Sequence, residues 1–218
     1  MPQLKLVERT ADGVGLEHLR FDAPLEEHSL PAQYTVVEVD GQRGFFALAN
    51  QPGAPVELLV KRQGPVASWL CAQAPGAAVP MTAARGPGFA VPEVDRPLVV
   101  LAAGSGIAAA RPLIEAELSR PRPRRTVLFY GLLTPEHASF SSQREAWIRA
   151  GVEEHLVYDR PPPDGAGYVG FVQHAARDAG WVRDGVLVAL VGFSQMIDEA
   201  RRMWTEAGLD PAFVRTNF

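Results

Sequence analysis

The sequence predicts two domains, an antiparallel β-barrel over residues 1–95 and a doubly wound α/β domain over residues 96–218. In the first part, short apolar strands follow one another between turn clusters, with no long helix between them. From residue 96 onward, fully apolar strands alternate with segments of helical spacing, which is typical of a parallel sheet covered on both faces. A chain of 218 residues, 47% of them hydrophobic, is long enough for two such cores.

The barrel strands are predicted from alternating or β-branched runs. Turn clusters such as Asp40-Gly41 and Gln51-Pro52-Gly53 separate them, and a short helix is expected over 67–73, after Gly64-Pro65. The predicted barrel strands are 4–8, 15–21, 34–39, 45–48 and 56–61.

The second domain is predicted to begin after Asp95-Arg96-Pro97, where the chain changes character. Its strands are continuous apolar runs, and its helices show the spacing of residues that bury one face. The predicted strands are 98–102, 126–130, 155–158 and 186–191, and the predicted helices are 107–118, 135–150, 171–179 and 195–207.

Composition excludes several classes of function. A net charge of −4 provides no basic field for nucleic acid, and no apolar stretch of about 20 residues predicts a membrane span. The first residues lack the apolar core of a secretory signal, so we expect a cytoplasmic protein. Cys71 is the single cysteine, which excludes an intrachain disulfide and a cysteine-based metal cluster. The histidine spacing predicts no metal site.

A glycine turn follows the first apolar strand of the second domain. Gly104-Ser105-Gly106 lies where this strand gives way to a helix, a position at which free N–H groups favour a phosphate. With Ala109 the turn fits the loose dinucleotide fingerprint, but the second strand ends in Tyr130-Gly131-Leu132-Leu133 and lacks the expected acidic residue. An ordinary glycine turn therefore stays open as an alternative. A methyltransferase loop is less favoured, because it leaves the barrel unexplained.

A second turn, at Gly192, also follows a buried strand and precedes a helix. Since the carboxyl ends of parallel strands share one edge, Gly104 and Gly192 are expected on the same ligand-binding edge.

Taken in order, these segments resemble the ferredoxin–NADP reductase-like family of flavin oxidoreductases over nearly the whole chain. The family's Gly-Thr-Gly-Ile-Ala-Pro, Tyr-Gly and Cys-Gly-x-x-x-Met motifs are matched by residues 104–109, Tyr130-Gly131 and residues 191–196. The run 45–50 and the ending Asn217-Phe218 are similar to a plant fruit-protein-like branch. The resemblance implies that the barrel holds FAD, with FMN less favoured, and that the α/β domain holds NAD(P)H.

The resemblance also implies the residues of the site. Val191 stands where the family has its cysteine near the hydride-transfer centre, and Phe218 resembles a terminal aromatic that covers the flavin; both are implied at the catalytic centre. The implied flavin-binding residues are Phe45, Phe46, Ala47, Leu48, Asn50, Val60, Lys61, Gly64 and Ser68, beside Phe218. The implied nicotinamide-nucleotide residues are Gly104, Ser105, Gly106, Ile107, Tyr130, Gly131, Gly192 and Met196.

Three departures from the family pattern bear on activity. The flavin-binding Arg-x-Tyr-Ser is replaced by residues 44–47, Gly-Phe-Phe-Ala, so the arginine and both hydroxyls are missing. We expect Lys61 to compensate for the arginine and Phe46 to stack on the flavin. Pro65 removes an N–H that would face the pyrophosphate, and Val191 lacks the thiol, so we expect weaker flavin binding and slower turnover.

Charge gives a mild preference for NADH over NADPH. Leu132 and Leu133 stand where many NADP-specific relatives have basic residues, and the nearby candidates for a 2′-phosphate are Arg111 and the 120–125 cluster. For those arginines a solvated loop is the favoured interpretation.

Two hypotheses of function follow. The first is a flavin-dependent NAD(P)H oxidoreductase that passes electrons to a carrier such as a ferredoxin, a haem protein or a quinone. The second is a redox-inactive relative that serves as a nucleotide-sensing or partner-binding subunit, which the residues Gly44, Pro65 and Val191 motivate.

Overall fold

The computed structural model describes residues 2–90 and 92–217. Phe218, which the family resemblance implies at the catalytic centre, lies outside the described residues. The first part of the chain is an antiparallel barrel with one short helix, as predicted. Its elements are β1 (Gln3–Ala11), β2 (Leu16–Phe21), β3 (Tyr34–Val39), β4 (Gln42–Ala47), β5 (Glu57–Lys61), α1 (Pro65–Cys71) and β6 (Ala78–Pro80).

Two antiparallel sheets join to form the barrel. One has the order β5-β2-β1-β6 and the other is the β3–β4 hairpin. Single bridges connect them, from Leu48 to Leu58 on one side and from Val37 to Met81 on the other. The interior is filled by apolar side chains such as Leu6, which alternate with solvent-facing residues along the strands.

The second part is an α/β domain with helices on both faces of a parallel sheet, as predicted. The sheet has the order β10-β9-β8-β7-β11-β12, and every neighbouring pair is parallel. Its elements are β7 (Leu98–Ala103), α2 (Ile107–Leu118), β8 (Thr126–Leu132), α3 (Ser141–Arg149), β9 (Glu153–Tyr158), β10 (Tyr168–Val169), α4 (Val172–Asp178), β11 (Leu187–Val191), α5 (Ser194–Glu206) and β12 (Val214–Thr216).

Alternate residues of the central strands face different helices. Val100 of β7 packs in a core with α2 and α3, whereas Val99 and Leu101 face α4 and α5. The first of these cores continues into the barrel, where Leu16 and Phe89 belong to the same cluster. The two domains therefore share apolar packing. Within residues 2–90 and 92–217, no helix is both long and apolar enough to cross a membrane.

The single helix predicted over 135–150 is wrong in its first half. A short 3-10 turn covers Pro135–His137, and α3 begins only at Ser141. Phe140 between them has φ +57°, and its N–H donates to the carboxylate of Asp12 in the barrel at 3.0 Å. A contact from the other domain thus interrupts the helix, and local spacing does not reveal such a contact.

Candidate functional site

The chain leaves β7 through a 3-10 turn, Gly104–Gly106, and continues directly into α2. Gly104 has φ +53°, which favours glycine, and a Cβ on it would meet open space. A Cβ on Gly106 would lie 2.9 Å from the carbonyl oxygen of Val191. Glycine at position 106 therefore lets the start of α2 approach the end of β11.

The second predicted turn lies beside the first. Val191 pairs with Ala102 in the sheet, so β7 and β11 end side by side. A Cβ on Gly192 would lie 2.9 Å from Cε of Met196 and 3.2 Å from Cβ of Ala103. The strand order reverses between β7 and β11, and ligands of doubly wound sheets bind at such a switch point.

The helices that follow both turns leave anion-binding groups free. Neither α2 nor α5 has an acidic residue in its first turn or a side chain that caps its N-terminus. The N–H of Ile107 at the start of α2 donates to the carbonyl of Gly104, so on this side the N–H groups for an anion are those of the turn that precedes the helix. At α5 the first N–H groups have no partner within the helix, and the helix dipole favours a negative charge there. A pyrophosphate fits the chemistry of this edge.

Tyr130 and Gly131, predicted to bind the nucleotide, lie near the carboxyl end of β8 and pack inside the domain. Tyr130 is completely buried, and its hydroxyl accepts a long hydrogen bond from the N–H of Ser139, 3.4 Å away. Burial raises the pKa of Tyr130 to about 12. A Cβ on Gly131 would lie 2.9 Å from Cγ1 of Val172, so glycine here allows α4 to pack closely. In this arrangement the tyrosine side chain offers a ligand no surface.

On the barrel side, the place of the family's arginine is filled. A Cβ on Gly44 would lie 2.7 Å from Cε2 of Phe46 and 2.9 Å from Cγ1 of Val66 on α1. The Phe46 ring, predicted to stack on a flavin, therefore covers Gly44 and is half-buried. The exposed aromatic of this strand is Phe45, 66% exposed, whose ring centroid lies 5.8 Å from that of Tyr34.

The predicted polar residues of the barrel lie on its surface near the start of α1. Lys61 at the end of β5, Gly64 and Ser68 are all exposed. Helix α1 has no acidic residue in its first turn. One lysine, one hydroxyl and an exposed aromatic ring supply charge and surface of the kind that a flavin nucleotide needs, so the residues present fit the group.

The structure brings the two predicted sets together. Strand β5, which carries Val60 and Lys61, contacts the Gly104–Gly106 turn, and this turn also adjoins β7 and β8. One segment implied to bind flavin and one segment implied to bind nicotinamide are thus neighbours across the domain boundary.

Several predicted site residues are buried, with little or no surface open to a ligand in this arrangement. Asn50 donates its amide to the carbonyls of Gln51 and Ala54 and accepts the N–H of Glu57, so it holds a turn. Val191 is 4% exposed and faces Gly106. The other buried members are Leu48, Val60, Ile107 and Met196, whereas Ala47 and Ser105 are half-buried.

The arginines considered for a 2′-phosphate have other partners. Arg111 bonds Glu57 at 2.6 Å and Glu115 at 3.0 Å. The 120–125 loop precedes β8 and therefore lies at the amino end of the sheet, opposite the glycine turns. Three of its arginines form ion pairs there: Arg120 with Glu93, Arg124 with Glu117 and Arg125 with Glu153.

An ionic cluster between the domains was missed from the sequence. Nε2 of His18 lies 2.8 Å from Glu57, on the same carboxylate oxygen that Arg111 contacts. Burial raises the pKa of Glu57, but hydrogen bonds from His18 and Arg111 outweigh it and lower the value to about 2. Burial likewise lowers the pKa of Arg111, and the hydrogen bond to Glu57 and the charge of Glu115 more than reverse this effect. The i,i+4 spacing of Arg111 and Glu115 was the one available signal.

The chain thus joins a barrel to a doubly wound sheet with two glycine turns at the switch point, and strand β5 of the barrel contacts the first of these turns. Residues 100–202 match the family described as "Oxidoreductase NAD-binding domain". The chain is similar to the fruit protein pKIWI502 of Actinidia deliciosa, with 26% identity over 199 residues, 82% of this chain and 63% of that protein.

A second relative is the ferredoxin–NAD(+) reductase component of the alkene monooxygenase system of Xanthobacter autotrophicus, 29% identical over 146 residues, 64% of this chain and 45% of that protein. Among solved structures, a ferredoxin reductase in carbazole 1,9a-dioxygenase shares the fold, with a TM-score of 0.83 and 23% identity over 99% of this chain and 68% of its own. The chain thus spans less than two thirds of either curated relative. The predicted resemblance to the ferredoxin–NADP reductase-like oxidoreductases is confirmed.

Proposed function

We propose that the protein is a flavin-dependent NAD(P)H oxidoreductase that passes electrons to a carrier protein or other acceptor. The observation that carries this proposal is the contact between β5 and the Gly104–Gly106 turn. This contact sets the segment predicted to hold a flavin beside the segment predicted to hold a nicotinamide nucleotide. Hydride transfer requires this proximity and little acid–base help from the protein.

The chain's own residues bind and orient in this proposal. The N–H groups after Gly104 and Gly192 bind the pyrophosphate of the nucleotide, while Lys61 and Ser68 bind the flavin phosphates. Val191 closes the floor between the two turns and excludes water there. The exposed ring of Phe45 offers an apolar surface to the flavin. When bound, FAD supplies the acceptor for the hydride and passes electrons on singly or in pairs.

A redox-inactive, nucleotide-sensing relative is the second candidate, and Gly44 is the observation that favours it. Phe46 and Val66 fill the space beside Gly44, where the family has its phosphate-binding arginine. The neighbouring Arg43 of β4 is bonded to Glu38 at 2.9 Å. A lost charge-assisted hydrogen bond costs about 1.5–3 kcal/mol of flavin binding. In this second function the Gly104 and Gly192 turns bind a nucleotide and the barrel binds no flavin.

The test is a titration of the purified protein with FAD, followed by anaerobic addition of NADH. We expect oxidised-flavin absorption in the bound form and its bleaching by NADH. The matched pair is Lys61→Met against Arg62→Met, since Arg62 is the next residue and bonds Glu17 at 2.9 Å. Only Lys61→Met should weaken FAD binding. Nucleotide binding without any FAD binding would support the second candidate instead.

A further inference from the structure

Arg111 joins the two domains at a half-buried ionic cluster. Its guanidinium contacts Glu57 of β5 at 2.6 Å and Glu115 of its own helix at 3.0 Å. The Arg111 side chain is 12% exposed and that of Glu57 is 19% exposed. Cζ of Arg111 also lies 5.0 Å from the ring centroid of Phe140. Contacts on several sides therefore fix the direction of this side chain.

Glu57 is tied to the end of the strand that carries the predicted flavin residues. The N–H of Ala49 donates to the carbonyl of Glu57 at 2.8 Å, and the N–H of Glu57 donates to the side chain of Asn50 at 3.0 Å. Leu48 bridges Leu58, the residue after Glu57. Any displacement of Glu57 therefore moves the run 45–50 with it.

Arg111 is tied in the same way to the glycine turn. It belongs to α2, which begins immediately after Gly106, and it lies little more than one helical turn from that start. The amide of Gln51 adds a second connection from the barrel by donating to the carbonyl of Pro112 at 2.7 Å. Continuous short contacts thus link the strand end at Asn50 to the turn at Gly104–Gly106.

We propose that Arg111, paired with Glu57, is a positioning residue that sets the separation between the flavin-binding strand and the nicotinamide-binding turn. This inference rests on the function proposed above. A buried ion pair contributes little net stability compared with apolar residues of equal size, but its bonds have direction. Directional bonds at this contact hold the two cofactor-binding segments at a fixed separation and orientation. The rate of hydride transfer is sensitive to both.

The experiment compares the wild type with Arg111→Gln, Arg111→Lys and Arg124→Gln, all loaded with FAD. Arg124 is the control, because it forms a more deeply buried pair with Glu117 on the same helix, at 3.0 Å, away from the barrel strands. The readouts are the FAD dissociation constant, the melting temperature, and the rate of flavin reduction by saturating NADH and deuterated NADH in anaerobic stopped flow.

We expect Arg111→Gln to slow hydride transfer about 10- to 100-fold, the cost of misplacing reacting groups by about 1 Å. The FAD dissociation constant should stay unchanged, and the deuterium isotope effect should reach its full value. Arg111→Lys keeps a positive charge next to Glu57 and should therefore recover part of the hydride-transfer rate. Arg124→Gln should lower the melting temperature and leave the rate at the wild-type value.

The outcomes separate this inference from the function itself. If Arg111→Gln lowers only the melting temperature, the pair is structural and the inference is overturned, while the oxidoreductase function stands. If the flavin of the FAD-loaded wild type is never reduced by NADH or NADPH, both the inference and the proposed function are overturned. Should Arg111→Gln not fold, Glu57→Gln removes the negative charge that pairs with Arg111, in an isosteric side chain, and must also slow hydride transfer.

Discussion

Among single residues, Gly106 is a position of the site where an added side chain would disturb the backbone directly. A Cβ there would meet the carbonyl oxygen of Val191 at 2.9 Å, and a backbone atom cannot turn away. Gly106→Ala should therefore cost about 1–3 kcal/mol of unfolding free energy, as overpacking typically does. The measurement is urea denaturation.

Gly192→Ala is the matched comparison for this prediction. Its Cβ would meet the flexible end of Met196 at 2.9 Å, which can rotate away, so the loss should be smaller. A larger loss in Gly192→Ala than in Gly106→Ala would contradict the assignment of close backbone approach to position 106.

Glu57 makes the stability depend on pH in a definite direction. Its pKa is about 2 in the folded protein, below the usual 4.5, because His18 and Arg111 outweigh the effect of its burial. The resulting stabilisation is fully present above pH 4.5 and is lost as the pH falls toward 2. Unfolding free energies at about pH 5 and about pH 3 should therefore differ more in the wild type than in Glu57→Gln. Equal differences in the two proteins would contradict the shift.

The glycines were the residues that the sequence predicted best. Gly104, Gly106 and Gly192 lie together because a glycine between a strand and a helix marks a turn at the strand's carboxyl end. Which of the two rings, Phe45 or Phe46, is exposed was not predictable in the same way. It depends on Val66 of α1, which packs against Phe46 from a distant part of the chain.

Among the elements, the start of α3 depends on Asp12 of the barrel. Both carboxylate oxygens of Asp12 accept the N–H of Phe140, at 3.0 and 3.2 Å, and Phe140 has φ +57°. Asp12→Ala leaves this N–H without its acceptor and should cost about 1–3 kcal/mol. Hydrogen exchange of the first turn of α3 should accelerate more than that of α4.

Asp22→Ala is the control for this element, because Asp22 also accepts a backbone N–H, from Lys5 at 2.9 Å, but at an exposed position within the barrel. Water replaces that bond, so the loss should be smaller. Unchanged exchange in α3 of Asp12→Ala would contradict the interdomain origin of the helix break.

The elements that the sequence did not predict are the shortest ones. Strands β6, β10 and β12 have three, two and three residues, too few for a periodicity to be visible. Each forms because a longer neighbour offers free backbone groups, as β11 does for β12. Long elements such as α2, whose bounds were predicted correctly over 107–118, have enough residues for their hydrophobic periodicity to be visible in the sequence.

In the whole molecule, two domains could be predicted because each has its own hydrophobic period, 2 in the barrel and 3.6 in the helices of the second part. Their mutual placement could not, since it depends on contacts such as His18–Glu57–Arg111 whose members are far apart in sequence. The shared core around Leu16 and Phe89 has the same origin. The candidate site lies at this contact, so its geometry follows from the least predictable part of the fold.

The distribution of charge over the whole molecule bears on nucleotide preference. The arginines of the 120–125 loop lie at the amino end of the sheet, and Arg111 is occupied by two carboxylates. At the carboxyl end, β8 is followed by Leu133, 40% exposed, and then by Glu136. The exposed Arg160, which follows β9, lies beside Leu133 and donates its N–H to the Leu133 carbonyl at 2.9 Å. A 2′-phosphate placed over the end of β8 would thus meet an apolar side chain and a nearby negative charge, and the arginine at this edge follows β9 rather than β8.

NADH should therefore exceed NADPH in kcat/KM by about tenfold or more, because a missing charge-assisted hydrogen bond costs about 1.5–3 kcal/mol. Leu133→Arg should shift the ratio toward NADPH by raising kcat/KM for NADPH with little change for NADH. Arg122→Ser removes an exposed arginine at the opposite end of the sheet and should leave the ratio unchanged. A ratio that responds to Arg122→Ser and not to Leu133→Arg would place the adenosine end of the nucleotide away from β8. Both ratios come from initial rates of flavin reduction at several nucleotide concentrations, measured at one ionic strength because salt screens the contribution of exposed charges.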